Sequence, residues 1–152
     1  MTATTDAIST EWRAFAQMSA ENLYELLRFR QAIFVVEQRC AYPDLDGRDR
    51  EAAHLLLRRA GELCGCLRVI PVPAEIRIGR VAVAAPLRRR GLARRMMEEA
   101  LAFCRERDPG APVVLSAQLH LVDFYRGFGF ARVGAPYDDY GIMHLDMRLE
   151  QC

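Results

Sequence analysis

The segment that most constrains this chain runs from residue 80 to residue 95, where an apolar strand pattern passes through a short loop into an amphipathic helix. Five of the eight residues 88–95 are arginines. A helix start carries unpaired backbone N–H groups and the positive end of the helix dipole, and this combination binds phosphate. Gly91 allows close backbone approach there, and Ala93 keeps the first turn narrow. The segment predicts a site for an anion with more than one phosphate, the alternative being a solvated basic helix end.

Two other kinds of phosphate-binding loop do not fit this segment. A Walker loop needs Gly-Lys followed by Ser or Thr after an earlier glycine, and a dinucleotide-binding loop needs three spaced glycines. Gly91 is the only glycine between residues 80 and 95. The sequence therefore predicts neither of those nucleotide sites.

Length and composition exclude several broad classes of protein. A chain of 152 residues with 51% hydrophobic residues can fill one core. A net charge of +1 gives no overall attraction to nucleic acid or membrane, and no aromatic residues alternate with the arginines of 88–95 as a stacking surface would require. No apolar run is long enough to span a membrane, and residues 1–10 do not resemble a signal peptide. We therefore expect a cytoplasmic protein with no nucleic-acid and no membrane partner.

The cysteines are expected to be reduced and buried, with no metal site. They are Cys40, Cys64, Cys66, Cys104 and Cys152, an odd number without a CxxC pair. Cys64 and Cys66 are two residues apart on a predicted strand, so they should share one face.

Hydrophobic spacing and turn residues predict the order of the elements. Ser19 is a plausible N-cap for the first helix, and the acidic segment 40–51 is a loop. Residues 1–10 are polar and small and are predicted to be frayed. The order predicts one domain over 1–152, of mixed α/β or α+β class, with helices on a single sheet. The predicted helices cover 20–36, 91–107 and 119–128, and the predicted strands cover 54–58, 63–70, 76–83, 113–116, 130–133 and 142–149.

A second informative segment is 118–130, with the sequence QLHLVDFYRGFGF. Tyr125 and Phe130 frame a turn that contains Gly127 and Gly129. Taken alone, this pattern is typical of a helix that ends at a glycine beside core aromatic residues. By itself it therefore assigns no function.

Together, in this order and spacing, the two segments resemble the GCN5-related N-acetyltransferase (GNAT) superfamily. The cofactor motif of that superfamily, Arg/Gln-x-x-Gly-x-Gly/Ala after a strand, matches residues 88–93 (RRRGLA). Its later motif, an aromatic or apolar residue followed by Tyr-x-x-x-Gly-Phe, matches residues 124–130 (FYRGFGF). Each motif is weak alone, but the pair, with a strand before each helix, is specific.

A narrower resemblance, to the ElaA family of that superfamily, covers almost the whole chain. One departure lies before the last strand, where that family tends to read Glu-Asp-Gly-Ile and residues 139–142 read DYGI, so position 140 is not acidic here. The matching positions are Trp12, Leu23-Tyr24, Arg30, residues 34–38 (FVVEQ), Tyr42, Asp46-Gly47, Asp49, His54-Leu55, Gly79-Arg80-Val81, Ala117-Gln118, Gly141-Ile142 and His144.

The resemblance implies a single-domain GNAT fold of the α/β (α+β) class, with a central, mixed, mostly antiparallel and twisted sheet flanked by helices. It implies an enzyme that transfers an acetyl group directly from acetyl-CoA to an amine acceptor, without a metal. The strand backbone of 81–83 would pair with the pantetheine arm, and the N–H groups of 89–94 would hold the pyrophosphate. Gln118 would touch the cofactor, and Tyr125 would protonate the leaving thiolate. The implied cofactor-binding residues are Val81, Ala82, Val83, Arg88, Arg89, Arg90, Gly91, Leu92, Ala93, Arg94 and Gln118.

The attacking amine must also lose a proton, and the sequence offers several acceptors for it. Relatives often carry a carboxylate on the cofactor strand or on the next strand, but residues 77–80 and 113–114 supply none here. We favour Glu37 as the catalytic base because it ends an amphipathic helix, from which it can reach a groove. For the candidate histidines, the alternative is a structural role with a hydrogen-bonded ring. For the candidate aspartates, the alternative is a place in a surface turn. As a class, acids beside the acceptor groove would suit a cationic acceptor. The full set of candidates is Glu37, Asp46, Asp49, His54 and His144.

Two other functions stay open at this point. An acyl-CoA-binding module without catalysis would keep the arginine-rich loop and could lack Tyr125. Arg30, Phe34 and the Asp46-x-x-Asp49 pair also resemble acyl-homoserine-lactone synthases, which use S-adenosylmethionine and an acyl carrier protein. The tryptophan expected in those enzymes is absent, and the chain is short for that family.

The acceptor and the oligomeric state are not determined by the sequence. A protein N-terminus, a lysine, a polyamine, an antibiotic and a small metabolite all remain candidates. The apolar residues of the last strand, Met143, Leu145 and Met147, could serve a homodimer, although a core position explains them equally well.

Overall fold

The computed structural model describes residues 7–151, in which seven strands form one sheet with helices on both faces. A π-helix (Gln31–Glu37) continues the first α-helix without a break. The strands are β1 (Ile8–Ala14), β2 (Ala53–Arg59), β3 (Glu62–Val72), β4 (Glu75–Val83), β5 (Val113–Gln118), β6 (Ala131–Asp139) and β7 (Ile142–Leu149), and the α-helices are α1 (Ala20–Arg30), α2 (Leu92–Arg107) and α3 (Val122–Arg126).

The sheet divides at its one parallel pair of strands. The strand order is β1-β2-β3-β4-β5-β7-β6, and only β4 and β5 run parallel. These two strands pair through Ile76 with Val113 and through Arg77 with Val114. Within residues 7–151, β4 has no further partner on that side. The second half of β4 therefore has a free edge, and a cleft opens between the two halves of the sheet.

The sheet buries apolar side chains on both faces because side chains alternate along each strand. Leu55 and Leu57 of β2 pack in one cluster with Met96 of α2, and Leu56 packs in the other cluster with Leu26 of α1. Burial of each such side chain contributes about 1.5–3 kcal/mol. The two clusters hold α1 and α2 on opposite faces of the sheet.

The structure confirms the predicted class, a mixed and mostly antiparallel sheet flanked by helices. Ser19 caps α1, and its hydroxyl oxygen accepts a hydrogen bond from the backbone N–H of Asn22 at 3.0 Å. Gly91 is the residue before the first turn of α2. The last six residues of the helix predicted over 20–36 are π-helical, and the π-helix extends one residue further, to Glu37.

The strand β1 was not predicted. Residues 1–10 were expected to be frayed; residues 1–6 lie outside the described part of the chain, but Ile8–Thr10 belong to β1. The sequence of β1 has too few apolar residues to show an alternating pattern. Pairing with β2 along its whole length and the stacking of Trp12 on Phe103, with ring centroids 4.4 Å apart, hold it in place.

The prediction that Cys64 and Cys66 share a face is wrong. Leu57 pairs with Gly65 and Arg58 pairs with Leu63, so Cys64 is an extra residue in β3. This bulge shifts the alternation of side chains by one position. Cys64 packs in the α2 cluster and Cys66 in the α1 cluster. Both are free and buried, as are Cys40 and Cys104, and Cys152 lies outside the described residues.

Candidate active site

A cavity of about 800 Å³ occupies the cleft where β4 and β5 separate. Its walls come from the free half of β4, the start of α2, β5, α3, the π-helix and the turn between β6 and β7. This volume is typical of a site for a small ligand. The cavity is therefore the candidate active site.

The strand β4 carries a bulge where it lines the cavity. Across from β3, Ala82 pairs with Cys66 and Gly79 pairs with Arg68, so Arg80 and Val81 lie opposite one residue of β3. Arg80 has a φ of 53°, which is unusual for a residue other than glycine and marks local strain. An extended ligand could pair with the backbone groups of this free edge in the manner of an added strand.

The start of α2 has the backbone and charge features that anion sites share. Arg89 has a φ of 64° and Gly91 a φ of 79°. A Cβ atom on Gly91 would meet no atom within 4 Å. The positive φ therefore favours glycine at this position, and a shortage of space does not. Gly91 supplies no side-chain cap to the first N–H groups of α2, and Arg89 and Arg94 line the same wall. These residues fit a ligand with phosphates at one end and an extended arm along β4.

Arg88 braces the loop before α2. Its Nε donates to the carbonyl oxygen of Val83 at 2.9 Å, and its two terminal nitrogens donate to both carboxylate oxygens of Glu37. Arg88 thereby ties the end of β4 to the end of the π-helix. The hydrogen bonds from Arg88 also hold the pKa of Glu37 below its usual value. A carboxylate held in this way is a weak proton acceptor, so the geometry does not favour the base role predicted for Glu37.

Tyr125 lies on the cavity wall and is only 6% exposed. Its ring packs edge-on against Phe124 and Phe130, with centroids 5.1 and 6.3 Å away. Burial raises the pKa of Tyr125 to about 12. Its hydroxyl therefore keeps its proton at neutral pH and can donate a hydrogen bond or a proton to a group that develops negative charge.

His144 lies on the wall formed by β7, directly across from Gln118 of β5. Its Nδ1 is 2.8 Å from the carbonyl oxygen of Ile142. Gln118 in turn donates from Nε2 to the side-chain oxygen of Gln38 at 3.2 Å, which connects β5 with the residue that follows the π-helix. An amide and an imidazole thus flank the same end of the cavity.

Two of the other candidate bases, Asp46 and Asp49, belong to a buried arginine–aspartate network that reaches the cavity wall only through Arg80 among the described residues. This network consists of Arg30, Arg68, Arg80, Asp44, Asp46 and Asp49. Arg30, 1% exposed, contacts Asp44 at 3.1 Å and Asp49 at 2.6 Å. Arg68 contacts Asp49 at 3.0 Å and pairs with Asp46, while Arg80 contacts Asp44 at 2.8 Å and Asp46 at 3.3 Å.

The surroundings of this network explain the charge states of its members and of His54. Burial alone would raise the pKa of Asp46 and of Asp49. Hydrogen bonds and charge from Arg68 lower the pKa of Asp46, and those from Arg30 and Arg68 lower the pKa of Asp49. His54 is buried, with Nε2 3.0 Å from the carbonyl oxygen of Asp49, and burial lowers its pKa. These three residues are structural in this arrangement.

The structure brings together the predicted site residues with one exception. Glu37, Tyr125, Gln118 and the predicted residues of 81–94 line the cavity, apart from Arg90, which is exposed and lies off the wall.

Sequence reasoning missed one part of the cavity wall. Tyr42 and Tyr140 lie there with ring centroids 6.0 Å apart, beside Asp139. Tyr140 and Gly141 both have positive φ in the two-residue turn between β6 and β7, where asparagine before glycine is the favoured choice. A tyrosine in place of asparagine at this turn position is the sequence signal that could have pointed to this part of the wall.

No helix among residues 7–151 is long and apolar enough to cross a bilayer. Within the same residues, no group of three or more His, Cys, Asp or Glu side chains is arranged to hold a metal ion.

Comparison with known sequences gives a family match over nearly the whole chain. Residues 16–151 match the family described as the acetyltransferase (GNAT) domain. The protein ElaA of Escherichia coli is 37% identical over 147 residues, which cover 92% of this chain and 96% of that protein. The resemblances to the superfamily and to the ElaA family are confirmed.

Solved structures agree with the sequence match. The crystal structure of E. coli ElaA superposes with a TM-score of 0.90 at 36% identity, covering 95% of this chain and 100% of that chain. An acyl-CoA N-acyltransferase from Pseudomonas aeruginosa also gives a TM-score of 0.90, at 34% identity, covering 94% and 99% of the two chains. The expected GNAT fold is therefore confirmed.

Proposed function

Because this chain belongs to the GNAT acetyltransferase family, we propose that it is an acyl-CoA-dependent N-acyltransferase that transfers an acetyl group directly to an amine. The observation that carries the proposal is the continuous surface in one cavity: a free strand edge on β4 leads to the arginine-rich start of α2, with Tyr125 on the same wall. That surface combines a backbone edge for an extended arm with an arginine-rich helix start for phosphate, as a phosphate-bearing thioester would require.

The donor would be held mainly by backbone groups. The pantetheine arm would pair with Val81–Val83, and the pyrophosphate would accept hydrogen bonds from the N–H groups of residues 89–94. Arg89 and Arg94 would add charge-assisted contacts. Arg88 would keep the loop in place through Val83 and Glu37, without itself contacting phosphate.

The reaction needs few protein groups because the thioester is already activated. Binding the amine next to the thioester carbonyl supplies several kcal/mol by orientation alone. A backbone N–H of the β4 bulge would stabilise the charge that develops on the carbonyl oxygen. The C–N bond forms, the C–S bond breaks, and Tyr125 gives its proton to the departing thiolate.

The charges around the cavity favour an acceptor with positive charge over one with a carboxylate. Arg80 and Arg88 on the wall are already paired with aspartates and with Glu37. Asp139 on the same wall has no ion pair among the described residues, and Tyr140 offers an aromatic face to a cation. The ring of Tyr42 already has the Arg80 guanidinium over it, 5.3 Å from the ring centroid. A polyamine or a lysine-like amine fits this surface better than an amino acid with a free carboxylate.

The first test mixes the purified chain with acetyl-CoA and a panel of amines and follows release of the free thiol of CoA. The panel contains polyamines, lysine-containing peptides, peptides with a free N-terminus and amino acids. We expect release that depends on one amine class, and a fall of about 100-fold or more in kcat for Tyr125→Phe with an unchanged Kd for acetyl-CoA.

The matched control is Tyr24→Phe, because Tyr24 is 72% exposed on α1, away from the cavity. It should leave both constants unchanged. Tight binding of acetyl-CoA without turnover on any amine would replace the proposal with an acyl-CoA-binding module. Absence of CoA binding would remove its basis.

A further inference from the structure

We propose that His144 is the catalytic base that accepts the proton of the attacking amine. The inference rests on the proposed N-acyltransferase function and adds a residue to it. Direct transfer requires the nitrogen to lose a proton as the C–N bond forms. The proton needs an acceptor on the wall of the cavity, near the β4 bulge and near Gln118.

The hydrogen bond of His144 selects its tautomer. The carbonyl oxygen of Ile142 can only accept, and it lies 2.8 Å from Nδ1 of His144, so Nδ1 carries the hydrogen. In the neutral ring, Nε2 then has an unshared electron pair. This is the arrangement in which a histidine is ready to take a proton.

Neighbouring side chains fix the orientation of the ring. Tyr137 of β6 stacks on His144 with centroids 6.1 Å apart and an angle of 24° between the planes. The Tyr137 hydroxyl donates to Oδ1 of Asp146 at 2.7 Å, and the hydroxyl of Ser116 donates to the same oxygen at 2.9 Å. Ser116, Tyr137 and Asp146 are therefore positioning residues that act on His144 through the stacked ring.

The carboxylates on the same wall are less suited to the task. Both oxygens of Glu37 accept hydrogen bonds from Arg88. Asp139 lies at the exposed end of β6, next to the turn. Asp46, Asp49 and His54 do not reach the wall. Two histidines lie on the wall, His120 and His144. Of these two, among the described residues, only the ring of His144 is oriented by a hydrogen bond, which leaves its Nε2 free to accept a proton.

The proposed step is balanced within the reaction. The amine nitrogen forms the bond to the carbonyl carbon, its proton moves to Nε2 of His144, and the C–S bond breaks. The thiolate takes its proton from Tyr125. The imidazolium and the phenolate that remain exchange protons with solvent before the next turnover.

The test compares His144→Asn with His144→Ala. Asparagine places an N–H donor near the position of Nδ1, so it keeps the bond to Ile142 while removing the base. The matched control is Met143→Thr, which changes the neighbouring position on the opposite face of β7, where Met143 is 42% exposed. The measurements are kcat and KM on the active amine, the Kd for acetyl-CoA, and kcat with added imidazole.

We expect a fall of about 100-fold or more in kcat for both His144 variants, with the Kd for acetyl-CoA unchanged. Imidazole should restore part of the kcat of His144→Ala, because the truncated side chain leaves room for it, and less of that of His144→Asn. A structural role would not respond to imidazole. Met143→Thr should behave like the wild type.

Wild-type kcat in His144→Asn, measured beside a slow Tyr125→Phe, would overturn the inference and leave the proposed function intact. The same loss of kcat in Met143→Thr would also overturn it, because the effect would then come from disturbance of β7. If no amine in the panel makes the wild-type protein release CoA, both the proposed function and the role of His144 are refuted.

Discussion

Two groups of arginines in this molecule carry the same charge but differ in burial and in their partners. In the buried arginine–aspartate network, Arg30 and Arg68 are almost inaccessible, and each contacts two aspartates. At the start of α2, Arg89 and Arg90 are exposed, and Arg94 contacts an exposed Glu98 at 3.7 Å and the ring of Phe128, 5.3 Å from its centroid.

The difference teaches how burial decides what a charge does. A buried cation loses its hydration and is stable only when carboxylates surround it, so the network is balanced within itself. Exposed cations at a helix start keep their charge available and add to the dipole. The first group should govern stability, and the second should govern ligand binding.

The largest expected effect is on stability, from Arg30→Met. This change leaves Asp44 and Asp49 buried without their partner, and we expect a loss of about 3–5 kcal/mol in the free energy of unfolding. Urea denaturation measures it. Arg28→Met, on the exposed side of α1, should change stability by no more than about 0.5 kcal/mol. Equal effects of the two variants would contradict a structural network.

Arg89→Gln combined with Arg94→Gln is expected to weaken ligand binding and to leave stability nearly unchanged. Loss of two charge-assisted contacts should raise the Kd for acetyl-CoA by about 10–100-fold, with little change in urea denaturation. Acetyl-pantetheine, which lacks the pyrophosphate, should react equally well with variant and wild type. Arg105→Gln with Arg107→Gln, at the far end of α2, is the control. A similar loss with acetyl-pantetheine would show that these arginines do not read phosphate.

The pH dependence of stability sharpens the comparison further. The folded chain holds the pKa of His54 below its usual value, so the unfolded chain binds more protons below about pH 6.5 and stability falls there. The lowered pKa values of Asp46 and Asp49 add a second loss below about pH 4. Urea titrations from pH 8 to pH 3 follow both. His54→Gln should abolish the first loss and keep the second.

The smallest effect is expected from Glu37→Gln. The pair with Arg88 is about 40% exposed on each side, so its loss should cost less than about 1 kcal/mol in stability. Because this variant also removes the base predicted from the sequence, kcat should be measured in parallel with His144→Asn. A larger fall in kcat for Glu37→Gln than for His144→Asn would support Glu37 and contradict the role of His144.

Local patterns predicted the elements that carry the donor site. The α2 cap at Gly91 and the strand before it depend on neighbours in the chain, and the structure contains both. The sequence could not predict β1, which is held by pairing with β2, nor the bulges at Cys64 and Arg80, which appear only when strands are aligned. It also could not separate Glu37 from His144, because their availability depends on Arg88 and Ile142.

The sequence by itself determined the family, the class of the fold and the arginine-rich loop at the start of α2, because periodicity, glycine placement and charge density act within a few residues. Only the tertiary structure decided which charges are free. Arg30 meets Asp44 and Asp49 across 14 and 19 residues of chain, and Arg88 meets Glu37 across 51. Pairing at such separations follows from the packing of the sheet and its helices, and it decides whether an ionisable group supports the fold or acts in the cavity.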